Sequence, residues 1–451
     1  MALPPPRGRA VPSGRLSRLA AFGSMAGGVA GGMLAEGARK LANGERPNVG
    51  NLLLTPANAR RITDQLANLR GAAMKMGQLL SMGGAEFLPP ELSDILGCLR
   101  ADAQHMPPAQ LQKVLDANWG KGWRSKFARF DVRPIAAASI GQVHRAQTRD
   151  GRDLAIKIQY PGVRKSINSD VDNVGTLVRL SGLVPAGIDY APLLEEAKRQ
   201  LHEEADYQRE AACLAEFGAL LADDPDVIVP ALHTDFTTSD VLAMSYVKGV
   251  AIETLETAPQ ETRDQVMTML LRLLLRELFE FGLMQTDPNF ANYRWDADSR
   301  RLVLLDFGAT RRFDPEVGER YRRLMHAALA PDIATARPAL QSAMQDIGFF
   351  GADTPAKHRT NITAMFEQGM APLRLTGRFD FSAAEMLPEM REKGREIARD
   401  RDFWHVPPVD TLFLQRKFGG IFLLGNRLQA NVDLLGLLAK YRELEPPAAG
   451  A

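Results

Sequence analysis

The chain has 451 residues, 55 Lys and Arg against 54 Asp and Glu, a formal net charge of +1 and 45% hydrophobic residues. This near-neutral balance gives no electrostatic reason to bind nucleic acid. Length and apolar content suit one large domain or two to three smaller ones with real cores. Cys98 and Cys213 stand far apart without a partner motif, so they read as ordinary small side chains in a reducing compartment. The seven histidines show no metal-ligand spacing.

Residues 1–18 contain Arg7, Arg9, Arg15 and Arg18 and no acid, and no charge follows from Leu19 until Glu36. Gly23, Gly27 and Gly31, with Gly28 and Gly32, give overlapping small-xxx-small spacing, which lets helices approach closely in lipid. The run is at the lower limit for a spanning helix, and its glycines fit a secretory signal poorly. Three readings stay open for this leader, residues 1–48: a membrane-docking or dimerising helix, a flexible Gly-rich segment, or an organellar transit sequence. Asn43-Gly44 and Pro47 read as a linker.

A helical extension is expected over residues 49–130. Leu66, Leu69, Ala73, Met76 and Leu80 recur at helical spacing between Thr55 and Gly84. Lys75 and Gln78 are three apart and share a helix face. Gly77 between them costs about 1 kcal/mol against Ala, which points to close approach by another backbone; a solvated Lys/Gln pair is the plain alternative. Residues 86–130 read as a short helical unit, with Pro89-Pro90 and Pro107-Pro108 at helix starts.

Residues 131–250 read as a nucleotide lobe. Ile135 to Ala146, a turn at Asp150-Gly151 and Asp153 to Ile158 give strand, turn, strand, with Lys157 in the second strand. Ala-Ile-Lys-Ile matches the kinase strand that carries the phosphate-binding lysine. The loop before it, Ala136, Ala137, Ala138, Ser139, Ile140 and Gly141, should then cover the phosphates, with Ala where a protein kinase has Gly. Methyl groups there would restrict the loop and alter nucleotide selectivity or rate. A long helix over residues 190–221 supplies acids that can pair with Lys157: Glu210 first, Glu204 next, with Asp206 on the face of Glu210. A solvated acidic face is the plain alternative. Residues 227–229 and 241–247 complete this lobe's strands. Adenine would bond to backbone near Met244, Tyr246 and Val247, before a hinge at Lys248-Gly249.

Residues 251–441 read as a helical second lobe, and 442–451 as a disordered tail. Gln260 to Met284 is an apolar helical run; Arg272, Arg276, Glu277 and Glu280 argue against a membrane span. Next come Gln285-Thr286-Asp287-Pro288-Asn289 and Asn292, a strand over residues 301–305, and Asp306-Phe307-Gly308. Phosphoryl transfer needs Mg²⁺ to neutralise phosphate charge, and Mg²⁺ takes hard oxygen ligands. Asp306 supplies a carboxylate and Asn292 a carbonyl oxygen. Asp287 sits where a kinase orients or deprotonates the attacking hydroxyl. After Gly308 the chain runs through Asp314-Pro315 into a helix from Glu316 to Leu329. It lacks the long segment ending in Ala-Pro-Glu that holds a peptide substrate in protein kinases. Residues 331–441 are expected to be helical, with Arg416-Lys417-Phe418-Gly419-Gly420 leading into an apolar stretch from Ile421 to Leu424.

At Lys75-x-Gly77-Gln78, the Ala-rich loop, Lys157, Glu204-x-Asp206, Glu210, the Gln-Thr-Asp-Pro-Asn segment with Asn292, and Asp306-Phe307-Gly308, the chain resembles the UbiB family. These are also called aarF-domain or ADCK atypical kinases, and the resemblance covers about residues 15–441. It is closest to the branch that supports coenzyme Q biosynthesis. The resemblance implies an α+β, protein-kinase-like two-lobed fold with the helical N-terminal extension laid over the active site, and Lys75 near Glu204 and Asp206. It also implies ATP or ADP and Mg²⁺ as ligands, slow ATPase activity and doubtful protein-kinase activity. The implied partners are a polyprenyl quinone precursor or other lipid, a membrane surface and other quinone-biosynthesis proteins, with a second copy of the chain if the leader dimerises. The implied location is cytoplasmic at an inner membrane, or the mitochondrial inner membrane in a eukaryote. A phosphotransferase for a small molecule or protein, and a nucleotide-gated binding module, remain alternatives.

Overall fold

The structure, a computed structural model, describes residues 106–181, 191–382, 392 and 407–442. The leader, the expected helical stretch that carries Lys75 and Gln78, and the tail beyond residue 442 lie outside the described residues. By its contacts the chain divides into two units, residues 1–212 with 231–246, and residues 213–230 with 247–451.

In the first unit, Pro107 and Pro108 open helix α1 (Pro108–Trp119), where a missing N–H costs nothing. The stretch expected to stay helical to residue 130 turns at Trp123–Lys126 and becomes strand β1 (Phe127–Phe130). Aromatic packing explains the change. Trp123 meets Phe130 at 4.9 Å and Phe127 meets Phe236 at 5.0 Å, which seats β1 on the sheet's core. Strands β2 (Ala136–Ala137), β3 (Gly141–Thr148) and β4 (Asp153–Gln159) follow as the alternation predicts. Helices α2 (Val163–Ser181), α3 (Ala191–Glu204) and α4 (Tyr207–Leu220) come next. With β6 (Val241–Ser245), placed after β5 (Val227–Ile228), the sheet order is β1-β3-β4-β6, with β2 on β3 and every pair antiparallel.

Two sequence expectations change here. The single helix over residues 190–221 is two helices. The Asp206 carboxylate accepts from the amides of Gln208 and Arg209, capping a new helix, while the Ala205 carbonyl is taken by Gln159 at 2.6 Å and Arg164 at 2.7 Å. And β5 does not join the first unit's sheet. It pairs in parallel with β10 (Arg301–Leu304) of the second unit, Leu302 opposite Val227 and Val303 opposite Ile228.

The second unit's four-stranded sheet has the order β5-β10-β9-β7, with β7 (Val250–Ala251) and β9 (Tyr293–Asp296). The apolar run from Gln260 is helix α5 (Gln260–Arg276), then a π turn over Glu277–Phe281. It stops short of Met284 because Gly282 takes φ 57 and the chain enters β8 (Leu283–Gln285), which pairs with β11 (Thr310–Arg312). Asp314 caps α6 (Pro315–Ala328) through the Glu316 amide at 2.9 Å. Helices α7 (Ile333–Ile347), α8 (Ala356–Thr376), α9 (Val409–Leu428) and α10 (Leu434–Arg442) complete the unit. They are interrupted by a two-residue ladder of β12 (Phe379–Asp380) on β13 (Asn431–Val432), which the expected all-helical stretch did not include. Among the described residues no helix is long and apolar enough to cross a membrane.

Candidate nucleotide and metal residues

Lys157 sits in β4 between Ile156 and Ile158, both fully buried on the core face, so its own side chain points the other way. Its Nζ meets Glu210 of α4 at 2.7 Å from Oε1 and 2.8 Å from Oε2. The two side chains are 9% and 1% exposed, so the charges are held by each other rather than by water. The Tyr207 ring, one turn earlier on α4, lies 5.2 Å from the same ammonium.

The Ala-rich segment is a tight hairpin. Ala136 and Ala137 pair with Val143 and Gln142, and the Ala138 amide donates to Gly141 at 2.9 Å. Ala136 and Ala137 are exposed, Ala138 and Ser139 half-buried, and Ile140 is buried in the core. A methyl group at Gly141 would stand 2.3 Å from the Ile158 carbonyl, so this position is glycine because β4 passes too close for any side chain. Ser139 donates to the Glu204 carboxylate at 2.9 Å, tying the hairpin to the end of α3. Glu204 thus meets the loop, Glu210 meets Lys157, and Asp206 caps α4. Met244 is buried opposite Ala155, and the Tyr246 amide donates to Asp153 at 2.8 Å. Val247 is the first residue of the second unit's longer segment.

In the second unit, Gln285 is the hub of the loop that carries Asp287. Its amide N–H donates to Glu277 Oε1 at 3.1 Å and its Nε2 to the Asp306 carbonyl at 2.8 Å. Its Oε1 accepts from the Tyr293 hydroxyl at 2.9 Å. The Leu305 amide donates to the Asn292 carbonyl at 3.0 Å, so the backbones of Asn292 and of the Asp306 strand are joined. Asp287 Oδ2 accepts from Asn292 Nδ2 at 3.2 Å, and Asp306 Oδ1 accepts from the Gly308 amide at 2.9 Å. Phe307 is buried, 5.2 Å from Phe217 in the part of α4 that belongs to this unit. With its amide nitrogen engaged by Asp287, Asn292 has its Oδ1 as the remaining side-chain group. That carbonyl and the Asp306 carboxylate are the hard oxygen donors that suit Mg²⁺.

Helix α9 supplies residues to which the sequence reading gave no role. Lys417 is 1% exposed, and its Nζ donates to the Gln285 carbonyl at 2.7 Å, Gln285 Oε1 at 3.2 Å and the Tyr293 hydroxyl at 2.5 Å. Glu277 Oε2 lies 3.7 Å away. Burial pushes the Glu277 carboxyl above its usual range. Burial also opposes the Lys417 ammonium, but the facing Glu277 and Tyr293 outweigh it and hold this lysine above its ordinary value. A signal was present: Lys417 interrupts the stripe Phe413, Leu414, Ile421, Leu424, and Glu277 the stripe Leu270, Leu273, Leu274, Phe281. Arg416, next to Lys417, meets Asp287 Oδ1 at 3.0 Å.

Residues 98–339 match the ABC1 atypical kinase-like domain. The chain is 41% identical over 94% of its length to the atypical kinase COQ8B, mitochondrial, of Rattus norvegicus, and covers 80% of that protein. It belongs to the UbiB family of atypical kinases. Within that family it is also 38% identical over 94% of its length to the atypical kinase COQ8, mitochondrial, of Saccharomyces cerevisiae, covering 83% of it. Among solved structures, the family fold is similar to Rv3197 of Mycobacterium tuberculosis, solved as a complex with erythromycin. The TM-score is 0.61 at 25% identity, over 86% of this chain and 97% of that one. The fold is therefore protein-kinase-like and α+β, as the motifs predict.

Proposed function

We propose that this UbiB-family protein is an atypical kinase-fold ATPase that binds ATP or ADP with Mg²⁺ and supports ubiquinone biosynthesis at a membrane, handling lipid quinone precursors. The observation that carries the nucleotide reading is the buried, two-pronged Lys157–Glu210 pair, because active kinases need this lysine and acid together to hold the phosphates. Asn292 and Asp306 would hold the metal, which when bound supplies positive charge to the phosphate oxygens. Asp287 would orient the attacking water or hydroxyl. The Ala-rich hairpin, braced by Ser139 on Glu204, would cover the phosphates, and Met244, Tyr246 and Val247 would lie beside adenine. Lys75 and Gln78 would act with Glu204 and Asp206. Similarity to proteins named COQ8 and COQ8B supports the quinone context, and the mitochondrial location in those relatives' names supports a membrane-rich compartment.

The test is ATP hydrolysis by the purified full chain with Mg²⁺, with and without liposomes, against Asp306→Asn. Turnover that rises with membrane and disappears in the variant is the expected result. Unchanged Mg²⁺-dependent binding and hydrolysis in Asp306→Asn would sink the assignment. A phosphotransferase reading keeps support from the carboxylate at Asp287; a stable phosphorylated product that vanishes with Asp287→Asn would favour it.

A further inference from the structure

Between Thr286 and Asn292 the Asp287 loop contains no basic residue. The cation beside Asp287 comes instead from α9, far along the chain. Arg416 donates to Asp287 Oδ1 at 3.0 Å, with side chains 13% and 22% exposed, while Asn292 Nδ2 occupies Oδ2 at 3.2 Å. Each carboxylate oxygen therefore has its own donor, which fixes the rotation of the group. The same turn of α9 holds the loop at two further points. Lys417 bonds the Gln285 carbonyl at 2.7 Å, and a methyl group at Gly420 would stand 2.1 Å from Pro288 Cβ. Residues 416, 417 and 420 share one helix face and grip residues 287, 285 and 288.

We infer that Arg416 is a positioning residue for Asp287, and that α9 is part of the machinery that aims the attacking group. This rests on the reading that Asp287 orients the nucleophile. A charge-assisted bond to a planar guanidinium is directional as well as strong, so it sets where the carboxylate points and not only its partner. A small misplacement of such a group reaches the rate steeply, up to about 10²-fold for roughly 1 Å. Among the described residues Arg416 bonds Asp287 and neither of the proposed metal donors, Asn292 and Asp306, so its loss affects turnover rather than nucleotide affinity.

The experiment is a double-mutant cycle on the full chain with Arg416→Gln and Asp287→Asn, reading kcat and KM for ATP hydrolysis with Mg²⁺. Hydrogen exchange of loop residues 285–292 is followed in the same proteins. We expect Arg416→Gln to lower kcat about 10- to 100-fold with KM within about threefold, and to cost nothing further in the Asp287→Asn background. Arg416→Lys, which keeps charge but not the planar fork, recovers part of kcat and guards against simple misfolding. Faster exchange confined to the loop in Arg416→Gln supports the inference. Equal kcat losses with and without Asp287, or unchanged exchange in the loop, would overturn it. If the unmodified protein hydrolyses no nucleotide, the ATPase reading fails by itself, and loop exchange alone still decides whether Arg416 holds Asp287.

Discussion

Each unit buries a lysine against a glutamate, and the two pairs are built differently. Lys157 and Glu210 face each other directly, the ammonium within 2.8 Å of both carboxylate oxygens and the lysine side chain 9% exposed. Lys417 and Glu277 stand 3.7 Å apart, each side chain 1% exposed, and the ammonium spends its hydrogen bonds on Gln285 and Tyr293. The first geometry is a matched pair in which either partner defines the other. The second is a scaffold: the lysine is bonded to the loop that carries Asp287, and Glu277 supplies the opposite charge that makes a buried ammonium tolerable. An acid that loses its lysine is a different fault in each unit, and that difference can be measured.

Lys417→Met should have the largest effect, because it strands a fully buried carboxylate and unties Gln285 together. Removing one partner of a buried pair costs about 3–5 kcal/mol, and urea unfolding would read it. Adding Glu277→Leu should recover most of the loss. The sign with pH follows from Glu277. Its folded-state pKa is raised, so the folded protein binds more protons than the unfolded one between the unfolded value and the folded value. Stability from this group is therefore greatest at acidic pH and falls as pH rises through that window. In Lys417→Met the opposing ammonium is gone, so the urea midpoint should decline more steeply toward neutral pH than in the double variant. Parallel pH curves for the two proteins would break the scaffold account.

Lys157→Met should cost less stability, at the low end of about 3–5 kcal/mol, because its side chain retains some access to water. It should cost more function. ADP titration calorimetry should show binding lost in Lys157→Met and strongly weakened in Glu210→Gln, while Lys417→Met, once refolded at low temperature, still binds. Equal loss of binding in both lysine variants would erase the contrast.

The two pairs also differ in how far the sequence reveals them. Lys157 and Glu210 stood out because Ala-Ile-Lys-Ile puts a charge in a strand and a helix rich in acids follows. Lys417 and Glu277 are legible only as charges inside apolar helical stripes, where Glu277 argues against a membrane span and points to no partner. Nothing local says that these two, far apart in sequence, meet. The strands and helices near Lys157 and Asp306 followed from periodicity. The errors came where long-range pairing overrode it: β5 joins β10 by a parallel ladder, and α5 stops because β8 has a partner in β11. The break before α4 is written in Asp206, whose carboxylate caps the new helix, a role that spacing alone does not separate from that of a site acid.

Gly420→Ala tests the scaffold without touching any charge. In an exposed helix interior this change gains up to about 1 kcal/mol. Here the new methyl would stand 2.1 Å from Pro288 Cβ, and a backbone must move. Overpacking of this kind costs about 1–3 kcal/mol, so the clash wins and the net change is a modest loss. Turnover should fall with it, because the displaced element is the Asp287 loop. Added stability with unchanged turnover would show that α9 and the loop can part without consequence.

The smallest expected effect sharpens the first pair. Asp206 caps the helix that presents Glu210, and the Glu210 amide donates to the Asp206 carbonyl at 3.0 Å. Asp206→Ala should cost about 1 kcal/mol in urea unfolding, the ordinary value of a lost N-cap. Asp206→Asn should cost almost nothing, since Asn caps as well as Asp. Nucleotide affinity then separates two roles for one side chain. If capping is its whole contribution, Asp206→Asn binds ADP as the unmodified protein does and only Asp206→Ala weakens, by the amount that a frayed first turn lets Glu210 drift from Lys157. If the carboxylate also faces Lys75, as the family motif implies, Asp206→Asn keeps its stability and still changes nucleotide affinity or turnover, a pattern that capping cannot produce.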